Sequence, residues 1–139
     1  MEITANALQV VEAGQNILFT DTAVNGSNSI IHRDGSGLVT IRGLTNQCRA
    51  RFKVFFGGNI AIPTGGTVGP ISVAIAINGE AVGSSTMIQT PAAVEQFYNV
   101  ASAVYLDVPM GYCYQISVQN TSTAAINVQN ANLIVERIA

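Results

Sequence analysis

The chain has 139 residues, a formal net charge of −2, and charged side chains at 10 % of its positions, against roughly 25 % in a typical soluble domain. That balance excludes a global electrostatic pull on nucleic acid or an anionic membrane. No apolar run approaches the roughly 20 residues of a membrane helix, and the length suits one domain spanning residues 1–139.

In chain order, Leu8–Glu12 has the composition for a helical turn or two, and Ile17–Thr20 reads as a short strand. Asn25-Gly26, Asp34-Gly35 and Asn78-Gly79 are turn dipeptides, because Gly takes positive φ freely and Asn or Asp tolerates it. Leu38–Arg42 alternates, with Val39 and Ile41 on one face and Thr40 and Arg42 on the other. Arg49–Phe56 alternates again, cations against Ala50, Phe52 and Val54. Gly57-Gly58 and Gly65-Gly66 follow, and both pairs read as bends.

Ile71, Val73, Ile75 and Ile77 share one face of the next strand. The opposite face carries Ser72, Ala74, Ala76 and Asn78, which is small enough to expect cover on both sides. Ala92–Tyr98 is a second candidate for a helical turn. Val100–Val108, Gln115–Gln119 and Ala125–Arg137 complete the strands, and the last shifts phase near Ala131, as a β-bulge would make it. Eight or more strands without helical interludes predict an all-β antiparallel sandwich or barrel.

Such a surface is covered by Asn, Gln, Ser, Thr and Gly in place of charge, which protects it poorly against association. The expectation is an oligomer that covers part of it with copies of itself. Cys48 and Cys113 match no metal spacing and read as two buried free thiols, with one disulfide as the alternative. No basic segment followed by an apolar stretch opens the sequence, so no secretory signal is expected. The Asn-x-Ser sequons at Asn25 and Asn120 would matter only with an export route.

Five of the six cations fall between residues 33 and 53. Arg49, Arg51 and Lys53 share one face of a strand, about 6–7 Å apart along it. Like charges in a row need compensation, from the acidic set Glu80, Glu95, Asp107 and Glu136, from solvent, or from an anionic ligand such as a nucleotide held by guanidinium forks. With Arg42, these residues form the candidate anion site; partner docking is the third reading. His32 beside Asp34 invites a catalytic or metal-binding reading, but the only His in the chain has no placed nucleophile, and ordinary turn polarity accounts for it. Met87 and Ile88 offer a contact surface. Asn127 and Gln129, with Asn130 and Asn132 near the phase shift, could bond across strands or to sugar hydroxyls. No constellation of acid, base and nucleophile is found. No enzyme, cofactor or metal is expected.

The order of these pieces resembles a jelly roll of the tumour necrosis factor and complement globular-head type. GQNILFTDTAV and SIIHRDGSGLVTIRG resemble its first half. ISVAIAINGE resembles its central strand and hairpin, and YLDVPMGYCYQISVQNTS with ANLIVERIA its closing pair. The block from Cys48 through Pro91, "CRAR…NIAIPTGGTVG.ISVAIAINGE…TP", is similar to small proteins of Firmicutes and their prophages. Where the superfamily usually places an aromatic residue after the Gly43 loop, this chain has Cys48, so the superfamily's trimer-core aromatics are not carried over.

The resemblance implies a homotrimer around a threefold axis, and it does not imply an enzyme. Uses of the fold include receptor ligands, spore-surface and capsid-associated trimers, and fibre tips; the expectation for this chain is a phage or prophage virion component, as capsid decoration, head fibre or fibre tip. Partners would be other virion proteins or a host-surface receptor. The location would be the virion or the host bacterial cytoplasm. The alternative is a cytoplasmic oligomer that sequesters a small anionic ligand, such as a nucleotide signal.

Overall fold

The computed structural model describes all 139 residues. Its strands are β1 (Glu2–Ala5), β2 (Gln9–Val11), β3 (Asp21–Val24), β4 (Ile30–His32), β5 (Val39–Arg42), β6 (Arg49–Ala61), β7 (Ile71–Ile77), β8 (Glu80–Ala81), β9 (Met87–Gln89), β10 (Tyr98–Pro109), β11 (Cys113–Asn120) and β12 (Ile126–Arg137). One 3₁₀ turn, Gly83–Ser85, is the only helical piece, and no helix is long and apolar enough to cross a membrane.

Two antiparallel sheets face each other. The first runs β10-β6-β12-β1-β3, with β2 beside β12. The second runs β4-β5-β11-β7-β8, with β9 beside β7. The jelly-roll sandwich anticipated from strand order is the observed architecture. Alternation decides which side chains meet between the sheets. Ala50, Phe52, Val54 and Phe56 of β6 are fully buried, as are Val39 and Ile41 of β5 and Val73 and Ile75 of β7. Phe19 meets Phe56 edge to face, with ring centroids 6.5 Å apart and planes at 75°. Each such aromatic side chain contributes a few kcal/mol of burial, about 3–5 kcal/mol when truncated to Ala. Ala74 and Ala76, on the other face of β7, are also buried, so that strand is covered on both sides as its composition requires.

Three local expectations are corrected. Ile17–Thr20 is not a strand but an extended crossing between sheets. Ile17 N–H donates to Val118 O in the second sheet at 2.9 Å, and Thr20 N–H donates to Thr4 O in the first at 3.0 Å. A segment that starts on one sheet and ends on the other cannot run along a ladder with either. Its Ile17 and Phe19 are nevertheless fully buried in the gap it spans.

Neither proposed helical segment is helical. Leu8–Glu12 contains β2, which seats Val11 opposite Ile126. Ala92–Tyr98 is a set of turns in which Glu95 takes φ 60° and donates its N–H to Ile62 O at 2.7 Å. A stretch this short cannot repay helix nucleation without a packed face.

Gly57-Gly58 neither ends the strand nor carries it to the other sheet. β6 is continuous through to Ala61, and the irregularity lies across from it in β12, where the register shifts between Gln129 and Asn132. Asn130 stands there at φ 53°. A Cβ on Gly58 would lie 3.4 Å from Ala131 Cα and 3.0 Å from the Phe56 ring. The glycine therefore admits the bulge that the phase shift near Ala131 predicts.

Candidate functional site

Arg49, Arg51 and Lys53 project from the outer face of β6, because Ala50, Phe52 and Val54 between them fill the core. The sheet register then sets their partners. Asp107 of β10 stands opposite Arg51. Arg51 donates from Nε to Asp107 Oδ1 at 2.8 Å and from Nη2 to Oδ2 at 3.1 Å, a two-pronged fork. Arg49 Nε lies 3.3 Å from the same Oδ2. One carboxylate thus serves two guanidiniums. The Arg51 hydrogen bond, helped by the charges of Arg49 and Arg51 and opposed by desolvation, holds the Asp107 carboxyl below the usual range. The same bond raises the Arg51 pKa. Both ends are solvent-exposed, so the pair fixes geometry more than it stabilises the fold.

Lys53 stands between Tyr105 of β10 and Glu136 of β12 in the register. Arg42 does not join this row. It lies on β5 in the other sheet, opposite Cys113, on the face turned away from the core. Proximity in sequence grouped it with Arg49 and Arg51; the sandwich separates it. Of the acidic set, Asp107 pairs with the row, while Glu95 is far from it, hydrogen-bonded by Thr64. Arg137 is a brace, donating from Nη1 to Leu44 O at 2.6 Å and to Ser29 Oγ at 3.2 Å.

Beside the fork is a depression of about 410 Å³ lined by Arg51, Tyr105, Leu106, Asp107 and Ile138. Ile138 is held there because its N–H donates to Arg51 O at 2.9 Å, while Arg51 N–H donates to Ala139 O at 3.1 Å. Tyr105 and Ile138 escaped the sequence reading. A half-polar strand shows no sign of which exposed aromatic will flank a cation on another strand.

His32 has a fully buried side chain. Nε2 donates to Ser36 O at 2.9 Å, and Nδ1 faces Thr22 Oγ1 at 3.2 Å. Thr22 in turn donates to Asp34 Oδ1 at 2.8 Å. This chain of bonds ties β3, at the edge of one sheet, to β4, at the edge of the other. An imidazole so enclosed meets neither substrate nor its own copies on an axis.

Cys48 and Cys113 are unbonded, but both are exposed, which corrects the expected burial. Cys113 opens β11 and Cys48 immediately precedes β6, its carbonyl accepting from Met110 N–H at 3.0 Å. Met87 is buried, and Ile88 beside it is exposed. The amides split as well. Asn99 donates from Nδ2 to Asn59 Oδ1 at 3.2 Å, and Asn132 donates to Glu2 Oε2 at 3.2 Å. Asn127 Oδ1 is buried without a partner. Asn120 is fully buried, with Nδ2 bonded to Val11 O and Ala124 O, so its sequon is closed to modification in the folded chain.

No sequence profile of a known protein family matches the chain, and no curated protein matches it by sequence. Solved structures do. The globular domain of zebrafish complement 1qA aligns over 96 % of this chain and 93 % of its own, at TM-score 0.63 and 9 % identity. The Eiger tumour necrosis factor of S. frugiperda aligns over 100 % and 92 %, at TM-score 0.68 and 11 % identity. At such identities the likeness shows the fold: a two-sheet jelly roll shared by the complement and tumour necrosis factor globular heads.

Proposed function

Starting from a jelly roll of the tumour necrosis factor and complement globular-head type, we propose that this chain is a non-enzymatic homotrimer. It serves as a structural or adhesive surface component of a bacteriophage particle, as capsid decoration, head fibre or fibre tip. The observation that carries the self-association is the outer face of the first sheet. Ala103, Phe55 and Ile134 stand in one cross-strand row on β10, β6 and β12. None of the three is buried, and Ala101, the buried Gly57 and the half-buried Asn132 occupy the next row. This short apolar row, set among Lys53, Glu136 and Glu2 on the same face, is a surface that water disfavours.

The edge beside it is equally unprotected. β10 borders the sheet as a 12-residue strand with one side unpaired, and Tyr98–Leu106 contains no charge and no proline. Edges of that kind are normally charged, shortened or covered. Laying the edge of one subunit, with exposed Ile88 nearby, on the outer face of the next is a heterologous contact. Repeated by rotation, such contacts close a ring. Three subunits is the number implied by the resemblance of the strand order, and the virion setting rests on the resemblance of the Cys48–Pro91 block.

The rival reading, capture of a small anion by Arg49, Arg51 and Lys53, is less favoured. Asp107 already neutralises part of the row, and an anion at Arg51 would approach that carboxylate. Sedimentation equilibrium at micromolar protein tests the assembly. A mass three times the 14.5 kDa chain supports it, and a single-chain mass removes it.

A further inference from the structure

The depression at the Arg51–Asp107 fork has a composition that selects its ligand by elimination. Its walls are an aromatic ring, Tyr105, 67 % exposed, and an aliphatic side chain, Ile138, 44 % exposed. The Arg51–Asp107 ion pair and Leu106 complete its lining. The volume of about 410 Å³ lies within the roughly 300–1,000 Å³ of small-ligand sites.

The two charged side chains of the lining, Arg51 and Asp107, are paired with each other, so a ligand of either charge finds its counter-ion already engaged. A wholly apolar ligand would strip water from an ion pair and return no hydrogen bond, which is costly. What remains is a neutral molecule with donors and acceptors side by side and one apolar face. Arg51 has five N–H donors and spends two on Asp107, while the carboxylate keeps lone pairs beyond those the fork uses. Two adjacent hydroxyls can therefore donate to Asp107 and accept from Arg51 together. The C–H face of the same ring lies against Tyr105, whose amphipathic side chain suits a half-polar contact.

We infer that the depression between Tyr105, Ile138 and the Arg51–Asp107 fork is a carbohydrate subsite that takes one neutral pyranose through a pair of neighbouring hydroxyls. The fork is preorganised before the sugar arrives. Asp107 is locked by two bonds to Arg51, and Ile138 is placed by its backbone bond to Arg51. Little conformational entropy is lost on binding. The site is shallow and open, so each copy binds weakly. The inference gives a chemical class to the adhesive role proposed above, and it requires that the subunit contact use the Tyr98–Ala103 end of the β10 edge and leave Tyr105 open.

The test is a titration of the ¹⁵N-labelled full chain with methyl glycosides of glucose, galactose, mannose and N-acetylglucosamine, at millimolar concentrations. Backbone amide shifts are followed at Arg51, Tyr105, Asp107 and Ile138. At least one glycoside should move these signals, with an affinity insensitive to added salt. Tyr105→Ala and Asp107→Asn should each weaken that response about tenfold or more, equivalent to about 1.4 kcal/mol, with the rest of the spectrum unchanged. Both positions are exposed, so their truncation leaves the fold intact, and the same spectra verify that.

No response to any of the four sugars overturns the inference, as does a response that survives both substitutions. Inorganic phosphate provides the other arm. If it moves Arg49 and Arg51 signals and displaces the sugar effect, the row is an anion site and the carbohydrate assignment is wrong. Subunit number is read separately by sedimentation, so failure of the trimer and failure of the sugar site are distinguishable.

Discussion

Gly43 lies against the carbonyl of Pro109 so closely that no Cβ fits between them. The contact is part of a clamp. Gly43 N–H donates to Tyr112 O at 2.8 Å, Gly111 N–H to Gly43 O at 3.0 Å, and Met110 N–H to Cys48 O at 3.0 Å. The loop after β5 thus grips the β10–β11 turn, and with it the end of the strand that carries Asp107. Gly43→Ala should force the two segments apart and cost about 1–3 kcal/mol. Urea denaturation checks this; an unchanged midpoint contradicts the clamp.

The Asp107 carboxyl is held low by Arg51, and the sign of its effect follows. A group that titrates lower when folded contributes fully above its unfolded pKa of about 3.9, and loses that contribution as pH falls through the folded value. Arg51→Gln should therefore raise the Asp107 midpoint toward the ordinary carboxylate value in carboxyl-carbon NMR. A midpoint that does not move would show that the fork is absent in solution.

Thr22 and His32 join the two sheet edges through a buried imidazole. Thr22→Val keeps the shape but removes the hydroxyl that meets both His32 and Asp34. Leaving the buried His32 Nδ1 without its partner costs about 1–3 kcal/mol, while the exposed Asp34 turns to water. The expected outcome is a lower urea midpoint. Stability equal to the parent would mean that the bonds contribute nothing net.

Both thiols should react in the folded protein. An aromatic disulfide reagent should titrate two thiols under native conditions, since Cys48 and Cys113 are both exposed and unbonded. Reaction that requires denaturant would restore the burial first expected for them.

Much of the sandwich is visible in local pattern. The alternation of Val39–Arg42, Arg49–Phe56 and Ile71–Ile77 fixes which face is buried, and the phase shift near Ala131 marks the β12 bulge. What local pattern cannot show is what stands across the sheet. Asp107 is 56 residues from Arg51, and only the β10–β6 register makes it the partner out of four candidate acids. Arg42 fails for the complementary reason: seven residues from Arg49, it belongs to the opposite sheet. Ile17–Thr20 has strand composition because its alternate residues are buried, yet it crosses the gap between sheets. Gly57-Gly58 has the composition of a bend, but serves a bulge on the neighbouring strand.

The self-association claim is tested most directly by the sedimentation mass of the parent chain beside Phe55→Lys. Phe55 is only half-buried, on the outer face, so a lysine there leaves the core untouched. The parent should sediment as three chains, and the variant as one, with unchanged circular dichroism. A parent that runs as one chain, or a Phe55→Lys variant that remains fully trimeric, would contradict assembly through this face.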